Sequence, residues 1–559
     1  MKIVAAPTHG AEPPKGMVLE TGSAPVASAV PAHTTRHQRT MTGAITGTIA
    51  GQGMTGATSP AGVYTPPPKS HKTLFTILGI SLATILGMGG FLFMKKSREA
   101  AEQARFADLA DMEPPKGSAE DVKLAIKFLT SEYTDQMQKV DARKVLATFE
   151  GAVASQLILA ELKSPETSHR GKSRYASILA DRGYSAAVPD MLKAFRGLPS
   201  GSDWANTRIS ILGSVRRLAT EETLPVIQKE LAGEHETRVR NTMEDIILTI
   251  LRPKGNAPSV TGPLLARVSN ATGGERKSLF RILGALGGKE VQTRLESIFS
   301  GNDVGLQTDA VTALLNWPDQ DVLPLIENVV TSENATVRTV GMQAYARLVT
   351  LPVPSTPEER IAKWEKFLNT IKPELRRFGS PLNRVFANIV DYPDAATQAL
   401  LTKLASDEKL GSIAKRGLDA VQKRRSDAIQ ISGKAGLLEA NVATPRGKIG
   451  LGFNSALAGW SSPDDWVVWN FKVAQPGNYQ VEIKQATTQP GVSELVVFVN
   501  DQRLAVDSKQ TPTTEDFVMV TPSGDLKLEP GNFYTLVLRA GSKLQPTLPA
   551  VESIRLVKK

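Results

Sequence analysis

Residues 316–326, NWPDQDVLPLI, recur in altered form as residues 391–401, DYPDAATQALL. An aromatic residue, a proline and an aspartate hold the same places in both copies, and an aliphatic residue ends each. Related apolar patterns start near residues 187, 223, 260, 291 and 322, at spacings of 31 to 37 residues. Such a period is typical of helix pairs that bury their apolar faces only by stacking on neighbours. The repeat predicts an all-α solenoid over residues 119–430.

Two stretches of this region carry a family resemblance. In ERKSLFRILGALGGKEV (275–291) and ENATVRTVGMQAYARLV (333–349), arginines and small residues interrupt an apolar stripe. Both resemble HEAT or HEAT-like repeats, and the resemblance implies a solenoid that binds another protein along a concave face. The segment at about 351–378 interrupts the period, so we expect one irregular or elongated helix pair there.

Residues 431–559 have a different pattern. β-Branched and aromatic residues alternate with polar ones between Gly, Pro, Asn and Asp turns, which is typical of an antiparallel β-sandwich. The clearest strand is 466–473, WVVWNFKV, in which Val467, Trp469, Phe471 and Val473 are expected to point inward. Asn500 lies in a predicted hairpin turn. The fold class is therefore multidomain, with an all-α solenoid followed by an all-β jelly roll.

A second resemblance suggests a ligand for this domain. DDWVVWNFKVAQPGNYQVEIKQA (464–486) and LEPGNFYTLVLRA (528–540) resemble the jelly-roll carbohydrate-binding modules of the galactose-binding-like group. Such modules stack loop aromatics on sugar rings and contact the hydroxyls with polar side chains. The resemblance implies that the ligand-binding candidates are Trp460, Phe517, Asp464, Asp465 and Asn470. The alternative is a sandwich that packs on the solenoid or on another protein.

Metal binding has one weak candidate in this domain. Modules of the group often hold a structural calcium with paired acidic residues. Here Glu439 is present, but Asn441 stands where a second carboxylate would be expected. Trp466 and Trp469 are expected in the core, because buried aromatics anchor small sandwiches.

An uncharged stretch predicts a membrane anchor. Residues 73–94, TLFTILGISLATILGMGGFLFM, reach roughly 33 Å as a helix, enough to cross a hydrocarbon core of about 30 Å. Gly79, Ala83 and Gly87 recur at every fourth position, and such spacing lets two membrane helices pack closely. A homodimer is one hypothesis; the alternative is that glycine is simply common in membrane helices.

The segments around the predicted span are short of large apolar residues. Residues 1–72 are rich in Ala, Gly, Thr, Ser and Pro and are predicted to be a disordered low-complexity tail. Residues 95–118 are predicted to form a juxtamembrane helix and stalk. The count of Lys and Arg beside the span favours a cytoplasmic C-terminal part, whereas the sandwich favours a periplasmic or extracellular one, which is the orientation we expect.

Composition excludes several functions. The chain has 559 residues, no cysteine and six histidines, of which only His169 and His235 lie beyond the predicted span. Disulfides, thiolate metal sites, histidine-based catalytic triads and multi-histidine zinc sites are therefore not expected. Of the net charge of +10, residues 1–72 carry +4 and residues 432–559 carry +1, and no folded region has a concentrated basic patch with interleaved aromatics, so nucleic acid is not an expected partner. No cofactor is expected either.

Three functional hypotheses remain. The first is a non-catalytic, single-pass scaffold of a bacterial envelope, whose solenoid binds a protein and whose sandwich binds glycan or another surface. The second is a cytoplasm-facing adaptor with a purely structural sandwich. The third is a component of a hydrolase system.

Overall fold

The computed structural model describes residues 94–452, 454–460, 462, 464–488, 493–541 and 549–559. Nineteen α-helices in these ranges precede thirteen β-strands. The helices are α1 (94–110), α2 (Ala119–Thr130), α3 (Gln136–Thr148), α4 (Ala152–Lys163), α5 (His169–Asp181), α6 (Val188–Arg196), α7 (Ser202–Leu218), α8 (Leu224–Gly233), α9 (Thr237–Leu251), α10 (Pro258–Val268), α11 (Gly273–Leu286), α12 (Lys289–Phe299), α13 (Val304–Leu314), α14 (Leu323–Val329), α15 (Ala335–Thr350), α16 (Pro357–Ile371), α17 (Gly379–Ile389), α18 (Ala395–Leu404) and α19 (Gly411–Ser426).

From α2 onward the helices pack in consecutive pairs, α2 with α3 through to α18 with α19. The second helix of each pair also packs on the second helix of the next pair. This helical part of the protein, which we call the rod, is consistent with the predicted solenoid. The segment that interrupts the period forms α16, which is longer than the neighbouring first helices α14 and α18.

The two copies of the repeat occupy equivalent places between helix pairs. Trp317 follows α13 and Tyr392 follows α17, and both rings are buried. The Trp317 Nε1–H donates to Asp319, while Asp394 caps α18 by accepting from the Thr397 amide at 2.8 Å. In both copies the shared residues therefore provide a buried aromatic ring and a polar turn before the next helix pair.

Thirteen strands form two facing sheets. Sheet A has the order β1-β6-β12-β8-β9 with β3 beside β6, and sheet B has the order β10-β7-β13-β5-β4 with β11 on β7 and β2 on β13. The strands are β1 (Ile429–Ile431), β2 (Ala435–Glu439), β3 (Thr444–Arg446), β4 (Gly450–Leu451), β5 (Leu457–Ala458), β6 (Trp466–Val473), β7 (Gly477–Ala486), β8 (Glu494–Val499), β9 (Gln502–Asp507), β10 (Val518–Val520), β11 (Leu526–Leu528), β12 (Tyr534–Ala540) and β13 (Ala550–Lys558). The predicted inward positions of β6, Val467, Trp469, Phe471 and Val473, lie in the sandwich core, which confirms that prediction.

The predicted membrane anchor falls almost entirely outside the described residues. Only Met94 of residues 73–94 is described, and Gly79, Ala83 and Gly87 are not, nor is the tail at 1–72. Within the described ranges no single helix is both long and apolar enough to cross a bilayer, and the bent pair α3 and α4 meets the test of length and composition only jointly, with a 120° angle between its helices. The span, its homodimer and the tail stay predictions.

We expect Gly284→Ala to destabilise the rod. A Cβ atom at Gly284 in α11 would lie 2.0 Å from the backbone oxygen of Ala313 in α13, so the two helices would have to separate. Overpacking of this kind costs about 1–3 kcal/mol. The matched control is Gly213→Ala in α7, where a Cβ meets nothing within 4 Å and the better helix former should stabilise by up to about 1 kcal/mol. Urea unfolding midpoints test both, and equal shifts in the two variants would contradict the close approach.

Candidate functional site

The outer face of sheet A packs on the rod. Trp466 and Val468 from β6, Val496 and Phe498 from β8, and Val537 from β12 belong to the same apolar core as the helices. Alternate residues of the same strands face the interior of the sandwich. Sheet A is thus buried on both faces, and buried polar contacts also join the two domains.

Asp391 lies at the centre of this contact. It follows α17, and its carboxylate is fully buried. Arg446 of β3 donates from Nε at 2.7 Å, and Arg424 of α19 lies 2.9 Å away through Nη2. The backbone oxygen of Asp391 accepts from Asn470 Nδ2 at 2.9 Å and from Thr535 Oγ1 at 3.2 Å. One residue of the rod therefore binds side chains from three sandwich strands and one helix.

The electrostatics of this residue follow from its burial. Desolvation raises the pKa of Asp391, and the hydrogen bond from Arg446 together with the charges of Arg446 and Arg424 acts in the opposite direction. A buried carboxylate and a buried guanidinium are each costly alone and compensate only as a pair. Loss of the Asp391 charge would leave two arginines without their buried partner.

A second ion pair joins the rod to the loop before β6. Asp464 accepts from Arg347 Nε of α15 at 2.8 Å, and Arg384 of α17 lies 3.6 Å away. Arg347 also donates to the Trp317 backbone oxygen at 2.7 Å. Burial lowers the pKa of Arg384. The repeat anchor Trp317 is thereby connected to the sandwich through Arg347.

Backbone atoms complete the contact. Arg539 Nη1 of β12 donates to the Pro352 oxygen at 2.9 Å, and the Ser355 amide donates to the Asn500 oxygen at 3.0 Å. Asn500 adopts a left-handed conformation with φ of 54° at the turn between β8 and β9, in keeping with the predicted hairpin. The hairpin turn thus lies against the segment between α15 and α16.

Four of the five sugar-binding candidates are placed differently from the sequence expectation. Trp460 is 1% exposed and belongs to the sandwich core, so its ring presents no face to a sugar. Asp464 and Asn470 contact the rod, as described above. Asp465 is 2% exposed and accepts from the amides of Lys448 and Ser462, each at 2.8 Å, so it fixes the loop before β6. The expectation that Trp460 offers an exposed face to a sugar is therefore corrected, whereas sugar binding by Asp464, Asp465 and Asn470 stays a prediction.

The remaining candidates lie on sheet B. Phe517 precedes β10, is half-buried, and has the Lys484 Nζ 5.8 Å from its ring centre. Its role in binding stays a prediction. Glu439 is exposed at the end of β2, and its backbone oxygen accepts from Trp469 Nε1 at 2.8 Å. The described residues include no group of three or more His, Asp or Glu side chains arranged to hold a metal ion.

The sequence-based predictions did not include Asp391, Arg347 and Arg446, which join the domains. Asp391, Arg347 and Arg446 lie 55 residues or more from the partners they reach across the contact. One difference between the two repeat copies does point to Asp391. It occupies the place that Asn316 holds in the other copy, so a carboxylate stands in one copy where an amide stands in the other. A charge confined to one repeat indicates a contact that the other repeats do not make.

Comparisons with known proteins concern the sandwich alone. No protein-family model matches the chain, so HEAT membership stays a prediction, and no curated protein matches it. A family 35 carbohydrate-binding module from Clostridium thermocellum is 12% identical, with 23% of this chain and 100% of that one covered and a TM-score of 0.19. A family 35 module from Cellvibrio japonicus is 18% identical, covering 22% of this chain and 92% of that one at a TM-score of 0.18.

Two enzymes also match. The exo-β-1,3-galactanase of Phanerochaete chrysosporium is 17% identical, with 22% of this chain and 29% of that one covered and a TM-score of 0.19. The β-(1,4)-mannanase of Podospora anserina is 16% identical, with 22% and 28% covered and a TM-score of 0.18. This chain therefore spans less than a third of the length of either enzyme. The sandwich resembles carbohydrate-binding modules in fold, and likenesses at these values carry no argument about its ligand.

We expect Asp391→Asn to destabilise the whole described unit by about 1–3 kcal/mol, because Arg424 and Arg446, whose side chains are 24% and 28% exposed, lose their buried carboxylate partner. The matched control is Asp419→Asn on an exposed face of α19, which should change stability by less than about 0.5 kcal/mol. Urea unfolding followed by tryptophan fluorescence measures both. Unfolding of Asp391→Asn at the wild-type midpoint would contradict the assigned role of the carboxylate.

Proposed function

We propose that the protein is a non-catalytic, membrane-tethered scaffold in which the rod binds a protein partner and the sandwich is a fixed structural part of the rod. The observation that carries the proposal is the burial of the outer face of sheet A in the apolar core of the helices. Polar and apolar contacts hold this face of the sandwich to the rod.

The connection between the domains supports the same proposal. α19 ends at Ser426 and β1 begins at Ile429, so only two residues separate helix from strand. β1 then pairs in parallel with the central strand β6. Independently moving modules are usually joined by longer, exposed linkers. The two-residue connection is too short to let the domains move independently.

The free surface of the scaffold lies toward the N-terminal end of the rod. In the described chain, no hydrogen bond or ion pair joins the first three helix pairs, α2 to α7, to the sandwich. This end is also the part nearest in sequence to the uncharged stretch at 73–94, which we propose as the tether. The proposal places the described domains in the periplasm or outside the cell.

A photo-crosslinking residue in the full-length chain tests the partner. We expect the probe at Lys193, an exposed position of α6, to give a discrete adduct with one cellular protein. The matched control is the same probe at Lys527, an exposed position of β11 on sheet B, which should give no protein adduct. Adducts from Lys527 alone, or from neither position under conditions in which both probes react, would contradict partner binding by this end of the rod.

Glycan binding is the second candidate, and one observation favours it. Sheet B contributes no hydrogen bond or ion pair to the rod among the described residues, and it carries half-buried Phe517 beside Lys484 and Met519, the last 46% exposed. An aromatic ring next to an exposed apolar side chain suits stacking on a sugar. The third hypothesis, a hydrolase component, gains no supporting observation.

Affinity electrophoresis in polysaccharide gels tests glycan binding by the full chain. β-1,3-Galactan and β-1,4-mannan serve as two polysaccharides that differ in both sugar and linkage. We expect retardation of the wild type, its loss in Phe517→Ala, and its retention in Val442→Ala, which removes another exposed apolar side chain. Equal retardation of Phe517→Ala and wild type, or none in either, would contradict this candidate.

A further inference from the structure

We propose that a cleft between the rod and the sandwich, here called the arginine cleft, binds a small organic anion with an apolar body. The cleft has a volume of about 380 Å³. On the rod side it lies at the ends of α9, α11 and α13, and on the sandwich side it reaches β8, β9 and β12. Its charged lining residues are Arg252, Arg503, Arg539 and Asp319.

Arg539 projects into the contact with the rod. Its Nη1 and Nε donate to the backbone oxygens of Pro352 and Ala540 at 2.9 and 3.2 Å. Among the described residues no carboxylate oxygen lies within 4 Å of its guanidinium, so it has no ion-pair partner. Burial and the neighbouring charge of Arg347 lower its pKa to about 10, which leaves it charged at neutral pH. Asp464 and Asp319 act on its charge only from beyond 4 Å, so this half-buried cation has no carboxylate in direct contact among the described residues.

Arg252 repeats this feature from the other side of the cleft. It follows α9 directly, and burial lowers its pKa while the more distant Asp245 acts in the opposite direction. In the described chain its side chain donates no hydrogen bond and forms no ion pair within 4 Å. Two guanidiniums from different domains thus line one cavity without a carboxylate partner.

The acidic groups nearby do not complete the site. Among the described residues, Asp319 is the one carboxylate that lines the cleft. Its Oδ1 already accepts from Trp317 Nε1 at 3.1 Å and from the Asp321 amide at 3.0 Å. Burial raises its pKa. Glu494 lies 3.4 Å from Arg503 and pairs with that residue. The lining of the cleft therefore carries more positive than negative charge, and a bound anion would balance it.

The rest of the lining determines the body of the anion. Ala285, Leu286 and Pro318 form the wall on the rod side, and Val496 and Phe498 form the wall on the sandwich side. Inorganic anions would leave these apolar surfaces in contact with water. A carboxylate on an aromatic or branched aliphatic body would meet the arginines and the walls together. The cavity volume limits the body to a small molecule.

Such a ligand would contact both domains at once. Because the cleft is formed only when the sandwich is docked, binding would stabilise the docked state by mass action. The inference is independent of the glycan proposal, which concerns sheet B, and of the partner proposal, which concerns α2 to α7. Failure of either leaves the arginine cleft unaffected.

Benzoate is the probe for the full-length protein. We expect saturation-transfer NMR to detect binding and thermal unfolding to shift upward. Benzyl alcohol, which lacks the charge, should do neither, and sodium chloride at equal ionic strength should leave thermal unfolding unchanged. Arg252→Gln should weaken benzoate binding about tenfold, the usual effect of losing a charge-assisted hydrogen bond. The matched control Arg416→Gln, on an exposed face of α19, should bind as the wild type does.

Arg539→Gln should have the same effect but also removes the contact to Pro352, so Arg252→Gln decides the outcome if Arg539→Gln fails to fold. Three results would each overturn the proposal: no benzoate binding at millimolar concentration, equal binding of benzyl alcohol, or unchanged benzoate binding in Arg252→Gln.

Discussion

Burial of sheet A on both faces is the constraint on which the rest of the structure depends. One face closes the sandwich core and the other extends the core of the helices. Apolar contact of this kind is non-directional and would tolerate several orientations. The ion pairs at Asp391 and Asp464 select one of them, because each buried charge has its partner only in that register. Relative to apolar substitutes, buried pairs add little net stability, so their main contribution here is to specify the docked geometry.

The same constraint explains which sequence predictions succeeded. Helix pairs and the inward residues of β6 follow from local periodicity, which a single sequence displays directly. The run WVVW at the start of β6 also indicates burial on both faces, because four consecutive large apolar residues are typical of such a strand. The alternation Val467, Trp469, Phe471 described only one of those two faces.

The site residues were harder to predict because the interactions that define them are distant in sequence. Trp460 was expected to be exposed because it lies in a loop. It is buried, because burial depends on what folds over the loop. Asp464 and Asn470 are polar and close to the strand that carries the family resemblance, yet their partners, Arg347 and Asp391, lie in the other domain. No periodicity or spacing links those positions.

A docked sandwich also gives the proposals a common physical basis. If the domains form one unit, the rod presents a fixed surface to a partner, and the arginine cleft exists as a permanent cavity that a small anion can enter. Sheet B remains the face on which a glycan could be bound without disturbing the contact. The scaffold, the second candidate function and the anion site therefore use three separate surfaces of one rigid arrangement.

Native-state hydrogen exchange on the full-length protein, measured at increasing denaturant, tests the central claim most directly. The amides of β6 and those of α15 and α17 should converge on one opening free energy, because sheet A cannot leave the helices without exposing the shared core. Exchange of β6 with a distinctly lower free energy than α15 and α17 would show that the sandwich opens as an independent domain, and would contradict the account.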